Sequence, residues 1–294
     1  VDNASTDDTV VQLGARGLLK HELIEFHRLP QNTGGAGGFH EGMRLAMGCG
    51  ADWIWVMDDD AEPCADALEK LEPALDSAGV AGVASLTLAL DGRPQLEHRG
   101  WLNVCGLTPR AHRAVCVTGA DRDAMEISFA SFVGLAVPRR VVEKIGLPKR
   151  ELFIKGDDLE YCIRMSREGP IILVPESRIF HKDGFSAAYE IRRRLGFRSN
   201  RVPLDKLWMN YFSVRNLIWI RRQYCGSLIA GIFSARQFTR YALGILLFDT
   251  DRRIRLRFFR EAIRDAWADE FDNQKPKELT RLPENAARRD QPAI

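Results

Sequence analysis

Apolar and polar residues fall into blocks along this chain, and one block organises the rest. Residues 53–57 are apolar throughout and run straight into Asp58-Asp59-Asp60. A short apolar run rich in aromatic and β-branched residues predicts a buried strand, so three carboxylates stand at its C-terminal end. Upstream, a polar turn over residues 2–9 leads into a helix reaching about Arg16, and a short strand is expected near 23–27. A glycine-rich stretch over 31–39 opens a helix to about Cys49. Downstream, Ala61-Glu62-Pro63 begins a helix to about Leu75, and 79–90 reads as strand. Residues 95–127 read as irregular strands and loops, 129–137 as a second buried strand, and a short helix ends at Gly146. An apolar approach over 152–154 meets Asp157-Asp158 and a helix with Leu159, Cys162 and Ile163 on its apolar side. Two short strands, 171–174 and 178–182, flank a turn. Beyond Ala187, helical stretches over 208–220, 228–233 and 238–248 alternate with arginine runs, and 272–294 reads as a flexible polar tail.

The carboxylate blocks carry the candidate chemistry. Adjacent like charges at the end of a buried strand repel one another and resist desolvation. A divalent cation relieves both, and Mg²⁺ or Mn²⁺ held by one or two carboxylates completes its shell with substrate phosphates. The plainer reading is a polar turn with one Asp capping the next helix. The glycine-rich turn could bring backbone N–H groups to a phosphate. It is neither a Walker A loop nor G-x-G-x-x-G, since His40 takes the last glycine's place. Asp2 is expected at a strand end, beside the later carboxylates if the sheet is parallel. Asp157 with Glu160 three residues on resembles a capping box with Asp in place of Ser or Thr. That leaves Asp158, kept ionised at a helix N-terminus, as a candidate general base. By itself His181 reads as structural, and His98, Trp101 and His112 read more readily as packing or surface residues than as substrate contacts.

Composition narrows the class. Of 294 residues, 45% are hydrophobic and 28% charged, as in ordinary globular chains. Six scattered cysteines without a C-x-x-C pair read as reduced thiols in a cytosolic compartment. No run of 18 apolar residues and no signal peptide is found. The net charge of +2 hides an asymmetry: residues 190–265 hold 17 Lys/Arg against 6 Asp/Glu. A basic helical segment on an acidic body suits an anionic membrane surface; a solvated helical subdomain is the alternative. No nucleic-acid recognition motif accompanies the basic segment, and no nucleic-acid partner is expected.

Taken together, Asp2-Asn3-Ala4-Ser5-Thr6-Asp7, Asn32-Thr33-Gly34-Gly35-Ala36-Gly37-Gly38-Phe39, Asp58-Asp59-Asp60, Gly156-Asp157-Asp158-x-Glu160-Tyr161 and His181 occur in one order. The chain thereby resembles the inverting glycosyltransferases of family 2, above all the actinobacterial galactofuranosyl- and rhamnosyltransferases of cell-wall polysaccharide synthesis. The resemblance covers roughly residues 1–220. It implies an α/β fold of the GT-A type, a mixed Rossmann-like sheet flanked by helices, whose usual first strand and helix this sequence lacks. It implies a catalytic domain over 1–186, a basic helical region over 187–271 for acceptor and membrane, and the tail over 272–294. The implied activity moves galactofuranose, or else rhamnose, from a UDP- or dTDP-sugar to a polyprenyl-linked glycan at the inner membrane face. In these roles Asp2, Asn3, Asn32, Gly34, Gly35 and Asp59 would bind donor. Asp58, Asp60 and His181 would hold Mn²⁺ or Mg²⁺, Asp158 would be the base, and Asp157 would orient the acceptor. An oligomer is compatible with this reading. A metal-dependent nucleotidyltransferase and a non-catalytic sugar-nucleotide or membrane-binding module stay open as alternatives.

Overall fold

The computed structural model describes residues 1–118, 120–182, 189–194 and 196–281. The chain forms two compact units, one of residues 1–103 and 110–184, the other of 104–109 and 185–294.

The first unit opens with helices α1 (Thr9–Ala15) and α2 (Gly34–Gly48) and strand β1 (Trp53–Val56). Strand β2 (Ala61–Pro63), helix α3 (Ala67–Leu75) and strand β3 (Gly82–Leu88) follow. Short strands β4 (Arg99–Leu102), β5 (His112–Ala114), β6 (Met125–Ile127) and β7 (Phe129–Ala130) precede β8 (Leu135–Pro138). Helices α4 (Arg139–Ile145) and α5 (Asp157–Met165) and the long strand β9 (Ile171–His181) complete it. The main sheet has the order β1-β8-β3-β9-β2, with β6 also paired to β9. Strand β8 is antiparallel to β1 and β3, and β3 is parallel to β9. Strands β1, β3 and β9 therefore point the same way, and their C-terminal ends share one edge. Every residue of β3 is buried, which is why its sequence shows no polar alternation. Leu71, Val80, Val83, Ala136 and Val174 form a core cluster with Trp53 and Trp55 packed against it.

Three expectations change here. The run 129–137 is two strands: β7 pairs with β4 in a small sheet, and β8 lies in the main one. Residues 171–181 are one strand, because a shift in register opposite Ser85/Leu86 absorbs Pro175, as bulges do. Ala61–Pro63 is a strand on β9 and does not start a helix. Near 23–28, only a parallel bridge between Asp2 and Arg28 forms.

The second unit holds the hairpin β10 (Glu190–Arg194) and β11 (Phe197–Arg201) and helices α6 (Trp208–Phe248), α7 (Arg252–Ala268) and α8 (Lys275–Thr280). The three expected helical stretches are one helix bent at Gly226, whose φ of 84° and ψ of 163° lie outside helical space. Aromatic residues knit α6 to α7: Tyr211 meets Phe258 at 5.3 Å, and Tyr241 stacks on Phe259 at 4.0 Å. The flexible tail expected from 272 is corrected in its first part. Lys275, at the start of α8, pairs with buried Asp265 and with Glu261; the rest, 282–294, lies outside the described residues. No helix among the described residues is long and apolar enough to cross a membrane.

The reading of all six cysteines as free thiols is also corrected. Cys105 and Cys225, 120 residues apart, form a disulfide, while Cys49, Cys64, Cys116 and Cys162 are free. Arg221 of α6 donates to the carbonyls of Gly106 and Thr108 at 3.1 and 2.9 Å. It thus holds the 104–109 segment beside Cys225, a proximity that no sequence spacing reveals.

Candidate active site

The C-terminal edge of β1 and β9 gathers the acidic residues. Strand β2 turns back from Asp60 and pairs with β9 so that Ala61 faces His181. The backbone N–H of Lys182 donates to the Asp60 carbonyl at 3.0 Å, which fixes the register. Asp58, Asp60 and His181 each offer a ligand atom, all within 4.8 Å of one another. His181 Nε2 lies 3.2 Å from Asp60 Oδ1. Its Nδ1 lies 3.2 Å from Gln95 Oε1; in the tautomer that donates from Nδ1 to this oxygen, Nε2 would offer its lone pair to a metal. Burial and the neighbouring Asp60 push Asp58 up to about 6. A carboxylate held short of full ionisation by its surroundings is one that a cation would stabilise. The donor set, two carboxylate oxygens and one imidazole, suits Mn²⁺ or Mg²⁺. Asp59 points outward and is exposed.

Behind the triad lies a layer that the sequence did not single out as functional. His98 meets His181 edge to face at 5.0 Å and shares a 2.8 Å hydrogen bond with Ser131. Burial and nearby Arg99 push His98 down to about 3, so the ring is neutral. Arg99 is fully buried, donating to the carbonyls of Ser85 at 2.8 Å, His98 at 2.7 Å and Val133. This guanidinium, caged by carbonyls rather than by an acid, acts electrostatically on Asp158. An arginine at a short strand's start carries no sequence signal of that role. His112 and Trp101 are packing residues: His112 stacks on Phe129 at 4.0 Å, and Arg113 lies over Trp101 at 5.2 Å.

Asp157 and Asp158 occupy the first positions of α5. The expected capping box does not form. Gly156 is the N-cap, and Glu160 is buried against Arg164 at 2.8 Å. Arg164 wins Glu160 because it lies one turn further along the same helix face. Asp158 Oδ1 accepts from the Leu159 N–H at 2.7 Å. Burial raises both acids, and the neighbouring Asp158 raises buried Asp157 further. The Leu159 N–H, Lys155 and Arg99 pull Asp158 back down. These groups favour ionisation and gather on Asp158, which makes it the better base of the two. Asp158 and Asp157 both act electrostatically on Asp58 or are acted on by it, so metal triad and acid pair share one site.

Three N–H groups of the glycine-rich turn are taken by protein acceptors: Thr33 by Asn3 Oδ1 at 2.8 Å, Gly34 by Asn32 Oδ1 at 2.8 Å, and Ala36 by the Phe153 carbonyl at 3.0 Å. Asn3 also donates to the Gly34 carbonyl at 2.8 Å. A Cβ on Gly34 would stand 2.1 Å from the Phe153 oxygen, and its φ of +72° suits glycine alone. The turn is thus a socket for the loop that carries Asp157 and Asp158. Gly35 is exposed, with open space where a Cβ would be. Asp2 is buried, accepts from the Ser5 N–H at 3.0 Å and pairs with Arg28 at 3.2 Å.

Comparison with known proteins agrees with this geometry. Residues 1–146 match the model of glycosyl transferase family 2. The chain is 28% identical over 188 residues to galactofuranosyltransferase GlfT1 of Mycolicibacterium smegmatis, covering 63% of this chain and 61% of that protein. It is 31% identical over 140 residues to GlfT1 of Mycobacterium tuberculosis, covering 47% and 45%. It is 22% identical over 213 residues to dTDP-rhamnosyl transferase RfbF of Shigella flexneri, covering 70% and 67%. The chain thus spans about half to three-fifths of the GlfT1 proteins it matches. Among solved structures, GalNAc-T7 with UDP, GalNAc and Mn²⁺ aligns with a TM-score of 0.55 at 13% identity, covering 95% of this chain and 51% of that one. The mixed sheet flanked by helices is thus the GT-A architecture, and residues 1–146 form a glycosyl transferase family 2 domain.

Proposed function

We propose that this chain is a metal-dependent inverting glycosyltransferase that moves a sugar from a nucleoside diphosphate to a hydroxyl of a polyprenyl-linked cell-envelope glycan. Galactofuranose from UDP is the favoured donor sugar, supported by the GlfT1 relatives. Rhamnose from dTDP comes next, supported by RfbF. The observation that carries the reading is the Asp58–Asp60–His181 triad beside the buried acid pair Asp157–Asp158.

The triad would hold Mn²⁺ or Mg²⁺, and such an ion supplies positive charge to a departing diphosphate. Asp158 takes the proton of the acceptor hydroxyl as it attacks the anomeric carbon. Asp157, kept protonated by burial, orients that hydroxyl. Lys155 and Arg99 favour the ionised form of Asp158 and so keep it ready to accept. On the donor side, exposed Gly35 and Asp59 face the nucleotide sugar, Asp2 meets the nucleoside, and Asn3, Asn32 and Gly34 shape the turn beneath it. The chain works as a peripheral protein on the inner face of the membrane, its basic second unit against anionic lipid.

Calorimetric titration of UDP tests the core of this reading, with Mn²⁺, with EDTA, and with Asp58→Ala/Asp60→Ala. Binding that needs the metal and both aspartates is expected. Equal binding with EDTA, or undiminished binding in the double variant, would sink the metal-anchored diphosphate.

A further inference from the structure

The second unit contains a cavity of about 610 Å³ where β10 meets the turn from α6 to α7. Four arginines line it, Arg192, Arg193, Arg194 and Arg252, against a single acid, Asp249. That acid is fully engaged already. Its buried carboxylate is shared by Arg201 at 3.1 Å, Arg192 at 3.3 Å and Arg255 at 3.8 Å. Arg255 is 1% exposed, and its Nη2 has no hydrogen-bond partner. The Arg193 side chain is exposed and makes no hydrogen bond or ion pair among the described residues. Arg252 and Arg253 stand in the first turn of α7, where the helix dipole is positive and a cation is disfavoured. Glu190 pairs with Arg192 at 2.8 Å, and Asp251 acts on Arg255, but positive charge at this corner still exceeds what these acids and Asp249 neutralise, and it lies on planar guanidinium groups that match phosphate oxygens. The same elements expose large apolar side chains: Ile191 on β10, Phe197 on β11, and Leu246 and Leu247 at the end of α6. A soluble phosphate has no use for such a rim; a lipid headgroup does.

We propose that this cavity binds the phosphate-bearing headgroup of an anionic membrane lipid, with the arginines on the phosphate and the apolar rim at the acyl boundary. The inference rests on the membrane-surface part of the function above and gives it a site. Juxtamembrane arginines each strengthen attachment to anionic lipid by roughly fivefold. Losing two should therefore weaken binding about 30-fold.

The test is co-sedimentation of the whole chain with phosphatidylcholine vesicles, with and without about a fifth of phosphatidylglycerol. Arg193→Gln/Arg252→Gln is compared with Arg16→Gln/Lys20→Gln, an equal charge change in the first unit. Arg193→Gln alone serves as the variant that breaks no contact. Binding only to the anionic vesicles, lost in the cavity variants, kept in the control and displaced by inorganic diphosphate, supports the site. Equal loss in both double variants would mean diffuse charge attraction and overturn it. Diphosphate binding without vesicle binding would point to a soluble phosphate ligand and overturn it as well. UDP titration of the same variants separates the two claims. Lost vesicle binding with intact UDP binding concerns the cavity alone, and the reverse concerns the donor site alone.

Discussion

Asp158 and Asp58 are both half-buried acids, yet their surroundings serve them differently. At Asp158 burial raises the carboxyl above the usual range, while the Leu159 N–H, Lys155 and Arg99 oppose it and favour the ionised form a base needs. Asp158→Asn keeps the shape and removes the base, so turnover should fall about 10²–10⁴-fold while UDP binding persists. A single-turnover assay beside calorimetry measures both. Unchanged turnover would favour nucleotidyl transfer, which needs no such base. At Asp58, the raised value of about 6 sets the pH dependence of metal binding. Below that value the metal must displace a proton, so affinity should drop about tenfold per pH unit; above it, this dependence vanishes. Without metal the sign reverses for folding. The folded chain holds the Asp58 proton more tightly than the unfolded chain, so this group's contribution to stability declines as pH rises from about 4 to about 6. Mn²⁺ titrations at about pH 5, 6 and 7.5 check the first claim, and metal-free melts from about pH 4 to about 7 check the second. An affinity flat across the range would remove Asp58 from the metal site.

The fold's elements were legible where they are self-sufficient and illegible where a distant partner decides them. The run into Asp58 read as a strand because its own residues demand burial. Strand β2 did not, because its pairing partner in β9 lies about 120 residues away, and β2 is what turns His181 from a structural residue into a candidate ligand. Glu160 looked like half of a capping box until Arg164 claimed it. In the glycine-rich turn, sequence shows the glycines but not the Phe153 carbonyl that occupies one of its amides. That contact supplies a test. Gly34→Ala drives a Cβ into the Phe153 oxygen and should cost about 1–3 kcal/mol. It should also disturb the acid pair, so UDP affinity and turnover fall together. Gly35→Ala meets open space and should leave stability within about 0.5 kcal/mol while weakening donor binding. Denaturant titration and UDP calorimetry on both variants make the comparison; equal stability loss in the two would discard the socket.

Across the whole molecule, the basic asymmetry in the sequence anticipated an arginine-rich second unit, but scattered cysteines concealed its covalent tie. Without reductant, the denatured chain should titrate four thiols, and six after reduction. Six at the outset would remove the disulfide. Cys225→Ser should lower stability by about 2–4 kcal/mol, since the bond closes a long loop.

The second unit's borrowed segment, residues 104–109, means that the chain passes between the units three times. A cut at the 184–185 boundary is therefore not a clean division. It leaves Cys105 on the amino-terminal piece and Cys225 on the carboxy-terminal one. The severed halves should migrate as one species on a non-reducing gel and as two once thiol is added. Halves expressed separately would each lack something, one the scaffold for a six-residue segment, the other the segment itself. Reconstitution from fragments should therefore succeed only where oxidation can restitch them.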